Sequence, residues 1–278
     1  MSPSSDTSVR RRGLVVDGLA TSYLEAGRGD PVVLLHGGEF GGGAEVGWER
    51  TIGALAERYR VLAPDLLGFG RTAKVVDFVD GRGMRLRHLA RFCALLGIES
   101  ARFVGNSMGA VMLLADATSD RPRLPVSRMA VICGGARIRS GPHADALFEY
   151  DATVEGMRRI VAALFHDPSF PQDEDYVRRR FDSSTAPGAW EAVAAARFRR
   201  PGAGSAPAAA DGWAVERIGV PTLFLEGGAD KLLPGGWAAE LAGRTSAADA
   251  AVVAAAGHCP QIERADTMND LLAGFLAS

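Results

Sequence analysis

The stretch that decides the fold is Ala101-Arg102-Phe103-Val104-Gly105-Asn106-Ser107-Met108-Gly109-Ala110-Val111-Met112-Leu113-Leu114-Ala115. Its first four residues form a short, mostly apolar, strand-like run. Its last six, rich in Ala, Leu and Met, suit a buried helix. Between them stands Gly-x-Ser-x-Gly. A serine at so tight a strand-to-helix turn needs small neighbours, sits in a strained backbone conformation and exposes its hydroxyl. The helix that follows aims its positive N-terminal end at the same point. The pattern predicts a nucleophile elbow with Ser107 as the nucleophile.

Outward from the elbow, strand and helix signals alternate. Pro31-Val32-Val33-Leu34-Leu35 and Arg60-Val61-Leu62-Ala63 are continuous apolar runs, the signature of strands covered on both faces. Met129 to Cys133, Pro221 to Glu226 and Ala251 to Ala254 read the same way, and 14–26 reads as a hairpin turning at Asp17-Gly18. Helical spacing recurs in Trp48, Ile52, Leu55 and Tyr59; in Leu86, Leu89, Phe92, Cys93 and Leu96 before Gly97; and in Met268, Leu271, Leu272, Phe275 and Leu276. This alternation predicts the α/β class: a mostly parallel twisted sheet with helices on both faces. Between 136 and 212 the strand signals vanish. Helices are predicted there at 144–150, 153–165 and 173–181, the last continuing over 189–198, before a Pro/Gly/Ser linker at 201–207. The predicted organisation is a core over 1–135, an inserted helical lid over 136–212 with Val154, Met157 and Phe165 turned inward, and core again over 213–278.

An activated serine needs a base within hydrogen-bond reach and an acid to orient that base. In such sheets both stand on loops at the carboxyl ends of strands. His258 directly follows the last strand and Asp230 follows another by a few residues. The order Ser107, Asp230, His258 is that of α/β-hydrolases. Asp65, in a Pro-Asp-x-x-Gly turn, suits backbone amides, and Glu226 lies inside its strand. His36, His88, His143 and His166 read as structural or surface residues. For an oxyanion, the Met108 amide is one donor, and the loop after the His36 strand offers Gly38 and Glu39 for the second.

Composition narrows the partners. At 278 residues the chain can bury one large core, and a net charge of -2 argues against nucleic acid or an anionic membrane. No run approaches the ~20 apolar residues of a membrane span. Arg10-Arg11-Arg12 is not followed by a long apolar stretch, so no export signal is read. Cys93, Cys133 and Cys259 are widely spaced and unpaired in pattern, which points to a reducing cytoplasm. Lys74 and Lys231 are the only lysines, consistent with a GC-rich coding bias. No metal or organic cofactor is implied; the partner is a small-molecule substrate, with homo-oligomer formation left open.

Three stretches carry a resemblance to the α/β-hydrolase superfamily: His36-Gly37-Gly38, the Ser107 elbow, and Gly227-Gly228-Ala229-Asp230 with Gly257-His258. More narrowly, Gly-Asn-Ser-Met-Gly, Ala63-Pro64-Asp65-Leu66-Leu67-Gly68-Phe69-Gly70 and the Gly-rich loop ahead of Trp48 are similar to meta-cleavage-product hydrolases. Those serine hydrolases cut a carbon–carbon bond in vinylogous diketones from aromatic-ring catabolism. The resemblance implies a Ser-His-Asp hydrolase and a lid arginine that grips a dienoate carboxylate. Arg178-Arg179-Arg180-Phe181 falls in that region, with Arg179 or Arg180 as the match; three consecutive arginines cannot all face inward from one helix. Asn106, Phe40 and Cys259 complete the implied substrate-binding set. In that subfamily a tryptophan follows the catalytic histidine, then a Gln-aromatic-Glu stretch. Here Cys259-Pro260-Gln261-Ile262-Glu263 keeps Gln261 and Glu263 and loses the indole. An esterase or lactonase, a cyclase or lyase of natural-product biosynthesis, and a ligand-binding receptor stay open on the same fold. Epoxide hydrolases and dehalogenases place an aspartate where Ser107 stands, and so do not fit.

Overall fold

The computed structural model of the chain describes residues 7–195 and 212–277. The N-terminal tail before residue 7, the end of the helix read to Phe198 and the linker at 201–207 lie outside the described residues. Eight strands, β1 (Arg10–Val16), β2 (Leu19–Ala26), β3 (Pro31–Leu35), β4 (Arg60–Pro64), β5 (Ala101–Asn106), β6 (Val126–Ile132), β7 (Thr222–Gly227) and β8 (Ala248–Val253), make one sheet. Their order is β1-β2-β4-β3-β5-β6-β7-β8. The β1–β2 hairpin turns at Asp17-Gly18, and β2 runs antiparallel to β4; every later pair is parallel. The unbroken apolar runs are explained by position: Val32 to Leu35, Phe103 and Val104 have no exposed surface.

The strand order reverses between β3 and β5, because β4 lies on one side of β3 and β5 on the other. Loops leaving the two strands diverge there, and a crevice opens at their carboxyl ends. Helices α1 (Ala44–Trp48) and α2 (Ile52–Ala56) follow β3, α3 (Gly81–Leu95) follows β4, and α4 (Met108–Ala117) follows β5. Between β6 and β7 come α5 (Pro142–Phe148), α6 (Val154–Leu164), α7 (Ser169–Gln172), α8 (Glu174–Thr185) and α9 (Ala189–Ala195). Helix α10 (Trp237–Arg244) joins β7 to β8, and α11 (Pro260–Glu263) and α12 (Ala265–Ala277) close the chain. Among the described residues no helix is long and apolar enough to cross a membrane.

Three local readings need correction. The Trp48 to Tyr59 periodicity is split between α1 and α2, with Glu49-Arg50-Thr51 as the break. The short helix α7 has no amphipathic signal of its own. And α9 is a separate helix rather than a continuation of α8, because Pro187 cannot donate an amide and Gly188 takes a left-handed φ of 75°.

Helix α6 shows why the segment between β6 and β7 stays attached. Thr153 caps it by accepting the Gly156 amide at 2.9 Å, and Met157, Ile160, Val161 and Leu164 form its buried face. Phe165 is buried beyond its end, while Val154 is only partly covered. At its C-terminus the Leu164 carbonyl accepts the His258 amide at 2.7 Å. The Lys231 ammonium donates to the Ala162 and Phe165 carbonyls at 2.8 and 2.7 Å. Lys74 works in the same way on the carbonyls of Phe69, Gly70 and Thr72. Both lysines thus serve as compact three-donor ammoniums gathering backbone carbonyls, a geometry the planar guanidinium does not match.

The β5–α4 turn is packed closely on its neighbours. Ser107 sits at φ 51° and ψ -112°, a left-handed φ that costs about 1–3 kcal/mol for a residue with a Cβ. Its neighbours must be glycine. A Cβ on Gly105 would stand 2.6 Å from the Gly109 carbonyl carbon, and one on Gly109 would stand 2.3 Å from the Leu35 carbonyl oxygen. Both obstacles are backbone and cannot rotate away. Gly109→Ala should therefore destabilise the fold by about 1–3 kcal/mol, read as a lowered Tm in thermal unfolding. An unchanged Tm would show that β3 and the elbow are not in contact.

Candidate active site

Ser107 ends β5, Asp230 follows β7 and His258 follows β8, so three parallel strands deliver three side chains to one end of the sheet. The Ser107 hydroxyl donates to His258 Nε2 at 2.9 Å, and His258 Nδ1 donates to Asp230 Oδ2 at 2.8 Å. The other oxygen of Asp230 accepts the Leu232 and Leu233 amides at 2.8 and 3.3 Å. Burial opposes ionisation of Asp230, but the His258 partner and these amides outweigh it and hold the carboxyl below its usual range. A carboxylate fixed in this way sets the imidazole tautomer and leaves Nε2 free to take a hydroxyl proton.

The competing acids and histidine are engaged elsewhere. Asp65 accepts the amides of Ala44 and Arg71, both at 2.9 Å, and Glu226 accepts the Gly236 amide at 2.9 Å. His36 donates from Nδ1 to the Gly37 carbonyl and accepts the Leu66 amide on Nε2, so it is neutral; burial lowers its pKa.

A cavity of about 300 Å³ opens on Ser107 and His258. Met108, Gly38 and Glu39 line the same end. A Cβ on Gly38 would lie 2.7 Å from Met108 Sδ, so the loop after β3 rests directly on the start of α4. The remaining walls are mainly apolar: Phe69, Val111 and Leu233 from the core, and Leu147, Phe148 and Leu164 from α5 and α6. Cys133, Asp230 and His258 are the one trio among the described residues with metal-ligand spacing. Burial pushes the Cys133 thiol well up, and the other two groups are bonded to each other, so this donor set is already committed.

Several residues expected at the substrate stand behind the wall instead. Asn106 is buried and donates to the His258 carbonyl at 3.0 Å, tying the elbow to the histidine loop. Cys259 is buried with its thiol towards Asn106 Oδ1, 3.7 Å away; burial pushes its pKa well up. Phe40 packs between Tyr150 and Trp190, with ring centroids at 4.7 and 6.3 Å. Arg179 is 51% exposed and donates to Glu49 on the surface. Arg180, by contrast, has no exposed surface and donates to Glu39 Oε1 at 2.7 Å. Glu39 lies on the cavity wall with its carboxylate bonded to Arg180. Gly38 is the loop residue packed directly against the Met108 side chain.

Sequence reading missed Phe69, Arg85 and Val111 on the wall, and noted Glu263 only as a retained residue without its role beneath the wall. Glu263 accepts the Gly257 amide at 2.6 Å and the Asp167 amide, bracing the residue before His258. A carboxylate five residues beyond the Gly257-His258 pair was the available signal.

Asp230 and Glu39 have depressed folded pKa values, so the stability they contribute is complete above the unfolded values near 4 and is lost as pH falls through the folded ones. Tm should be flat from pH 7 to about 5.5 and fall below about pH 4, with a shallower fall in Asp230→Asn. Identical acid limbs for the two proteins would remove Asp230 from this account.

The Alpha/beta hydrolase family matches residues 32–271. A 2-hydroxy-6-oxo-6-(2'-aminophenyl)hexa-2,4-dienoic acid hydrolase of Metapseudomonas resinovorans is 34% identical over 239 residues, covering 84% of this chain and 79% of its own. A 2-hydroxymuconate semialdehyde hydrolase of Pseudomonas sp. (strain CF600) is 32% identical over 275 residues, covering 96% and 93%. Among solved structures, a meta-cleavage product hydrolase from Pseudomonas fluorescens IP01 superposes with a TM-score of 0.84 at 29% identity, covering 96% of this chain and 97% of that one. The chain belongs to the alpha/beta hydrolase family, and within it is a serine hydrolase of small carbonyl compounds, similar to the meta-cleavage-product hydrolases.

Proposed function

We propose that the chain hydrolyses a carbon–carbon bond beside a ketone in a vinylogous diketone, with Ser107 as nucleophile, His258 as base and Asp230 as its orienting acid. The observation that carries this reading is the unbroken line of hydrogen bonds from Ser107 Oγ to Asp230, opening into an apolar cavity. The relatives named above are hydrolases of a 2-hydroxy-6-oxo-hexadienoic acid and of 2-hydroxymuconate semialdehyde, which supports this reading.

His258 takes the proton of Ser107 as Oγ attacks the ketone carbon. The Met108 and Gly38 amides receive the oxyanion; one such donor is worth about 3 kcal/mol in a dry site. When the tetrahedral intermediate collapses, the carbon–carbon bond breaks. Its electron pair leaves into the conjugated enone, and protonated His258 returns the proton to that fragment. Water, deprotonated by His258, then hydrolyses the acyl-serine to a carboxylic acid and restores the hydroxyl. The same histidine serves both halves, which explains its tight orientation by Asp230.

The helices over 136–195 act as a lid in this reading. Leu147, Phe148 and Leu164 cover the cavity, and the Leu164 carbonyl holds the backbone of His258 itself. The free, buried cysteines Cys93, Cys133 and Cys259 fit a reducing compartment such as the cytoplasm.

Ser107→Ala and His258→Ala should each lower kcat by about 10⁴-fold or more, and the double variant by little beyond either, because the groups act as one unit. Losses that multiply in the double variant would show that the two residues work independently. The products decide the bond: a carboxylic acid with a new C–H on the other fragment marks carbon–carbon cleavage. Acid plus alcohol from an ester, with the diketone untouched, would replace this reading by an esterase.

A further inference from the structure

We propose that Glu39 is a resident carboxylate in the anion seat of Arg180, so that the pocket takes a carbonyl substrate whose group on the loop side is uncharged. This inference deepens the reading above and rests on it.

Both terminal nitrogens of the Arg180 guanidinium are engaged. Its Nη2 donates to Glu39 Oε1 at 2.7 Å and its Nη1 to the Tyr176 hydroxyl at 3.1 Å. Nε has no hydrogen-bond partner among the described residues, yet the side chain is wholly enclosed and forms no part of the cavity wall. Glu39 does line that wall. The cavity therefore meets a carboxylate where a bare guanidinium would have drawn an acid.

The loop is shaped around this pair. A Cβ on Gly37 would stand 2.3 Å from Glu39 Oε2, and one on Gly42 would stand 3.1 Å from Oε1. Gly41, at φ 75°, brings the loop so close to α8 that a Cβ there would lie 2.4 Å from the Arg180 carbonyl oxygen. Glycines on both sides of Glu39 thus make room for its carboxylate to fold back and for the loop to reach the arginine. Burial opposes the charge on Glu39, but Arg180 more than compensates and keeps it ionised.

A substrate carboxylate arriving at this end has two options, both unfavourable. It can displace Glu39, which is then left buried without a partner, or it can crowd in as a second anion on one guanidinium. A ketone, amide or alkyl group faces neither penalty. The one arginine on the wall among the described residues, Arg85, donates to the Leu67 carbonyl at 3.0 Å and lies over the Phe69 ring, 5.8 Å from its centroid. It holds the Phe69 turn to α3. The relative from Metapseudomonas resinovorans is named for an acid substrate; the inference for this chain rests on its own Glu39–Arg180 pair.

The test compares 2-hydroxy-6-oxo-6-phenylhexa-2,4-dienoic acid, the acid named in another relative, with its carboxamide, which has the same shape without the charge. Release of benzoate measures turnover, and protection of Ser107 from a fluorophosphonate label measures occupancy. Wild type should favour the carboxamide at least tenfold in kcat/KM, and Glu39→Gln should raise the acid at least tenfold relative to the amide. Adding Arg180→Met to Glu39→Gln should abolish that gain. Preference of the wild type for the acid, or an acid-to-amide ratio unmoved by Glu39→Gln, overturns the proposal. If Glu39→Gln does not fold, the wild-type ratio alone decides. Absence of benzoate from both probes while Ser107 still labels contradicts carbon–carbon cleavage, and the charge preference is then read from protection, where the same tenfold bias towards the carboxamide is required.

Discussion

The contact between Gly109 and the Leu35 carbonyl is the constraint on which the site depends. It presses the β5–α4 turn against the end of β3, and only a residue without a side chain permits it. With that contact go the left-handed φ of Ser107 and the packing of Met108 against Gly38. The Ser107 amide donates to the Ile132 carbonyl, so β6 fixes the turn from the other side. The sheet supplies the rigidity that a strained serine needs, and the surrounding apolar packing of β3, β5 and β6 offsets the strain.

A second layer of ties joins the helices of 136–195 to the reacting groups rather than to the periphery. The Leu164 carbonyl holds the His258 amide, Lys231 gathers the end of α6, and Arg180 reaches across to Glu39. Any displacement of α6 or α8 is therefore felt at the histidine loop and at the oxyanion loop. Asn106, Cys259 and Glu263 serve the same end from beneath, through the backbone around His258. The substrate-facing wall is mostly apolar because the polar side chains of these loops are spent on holding one another.

Much of the fold was legible because its signals are local. Buried parallel strands must be apolar throughout, and the elbow must carry glycines at fixed offsets, so β3, β4, β5, β6 and β7 could be read without tertiary information. Ser107, Asp230 and His258 were equally legible, since each stands where a strand ends and the chemistry admits few residue types. What could not be read was which side of a helix or loop faces the cavity. Arg179 and Arg180 are adjacent and chemically identical, yet one lies on the surface with Glu49 and the other is enclosed with Glu39. Arg180 and Glu39 are 141 positions apart in the chain, and no spacing rule connects them. Phe40 and Cys259 were drawn towards the substrate by their neighbours in sequence, but packing against Tyr150 and the bond towards Asn106 turn them away.

The central claim is that Ser107 becomes covalently acylated during carbon–carbon cleavage. The direct measurement is mass spectrometry of the enzyme quenched in acid during turnover of a vinylogous diketone. The account predicts a mass increase equal to the acyl half of the substrate, confined to the peptide that carries Ser107 and absent from Ser107→Ala. An adduct on any other residue, or full-rate turnover by Ser107→Ala, would contradict it.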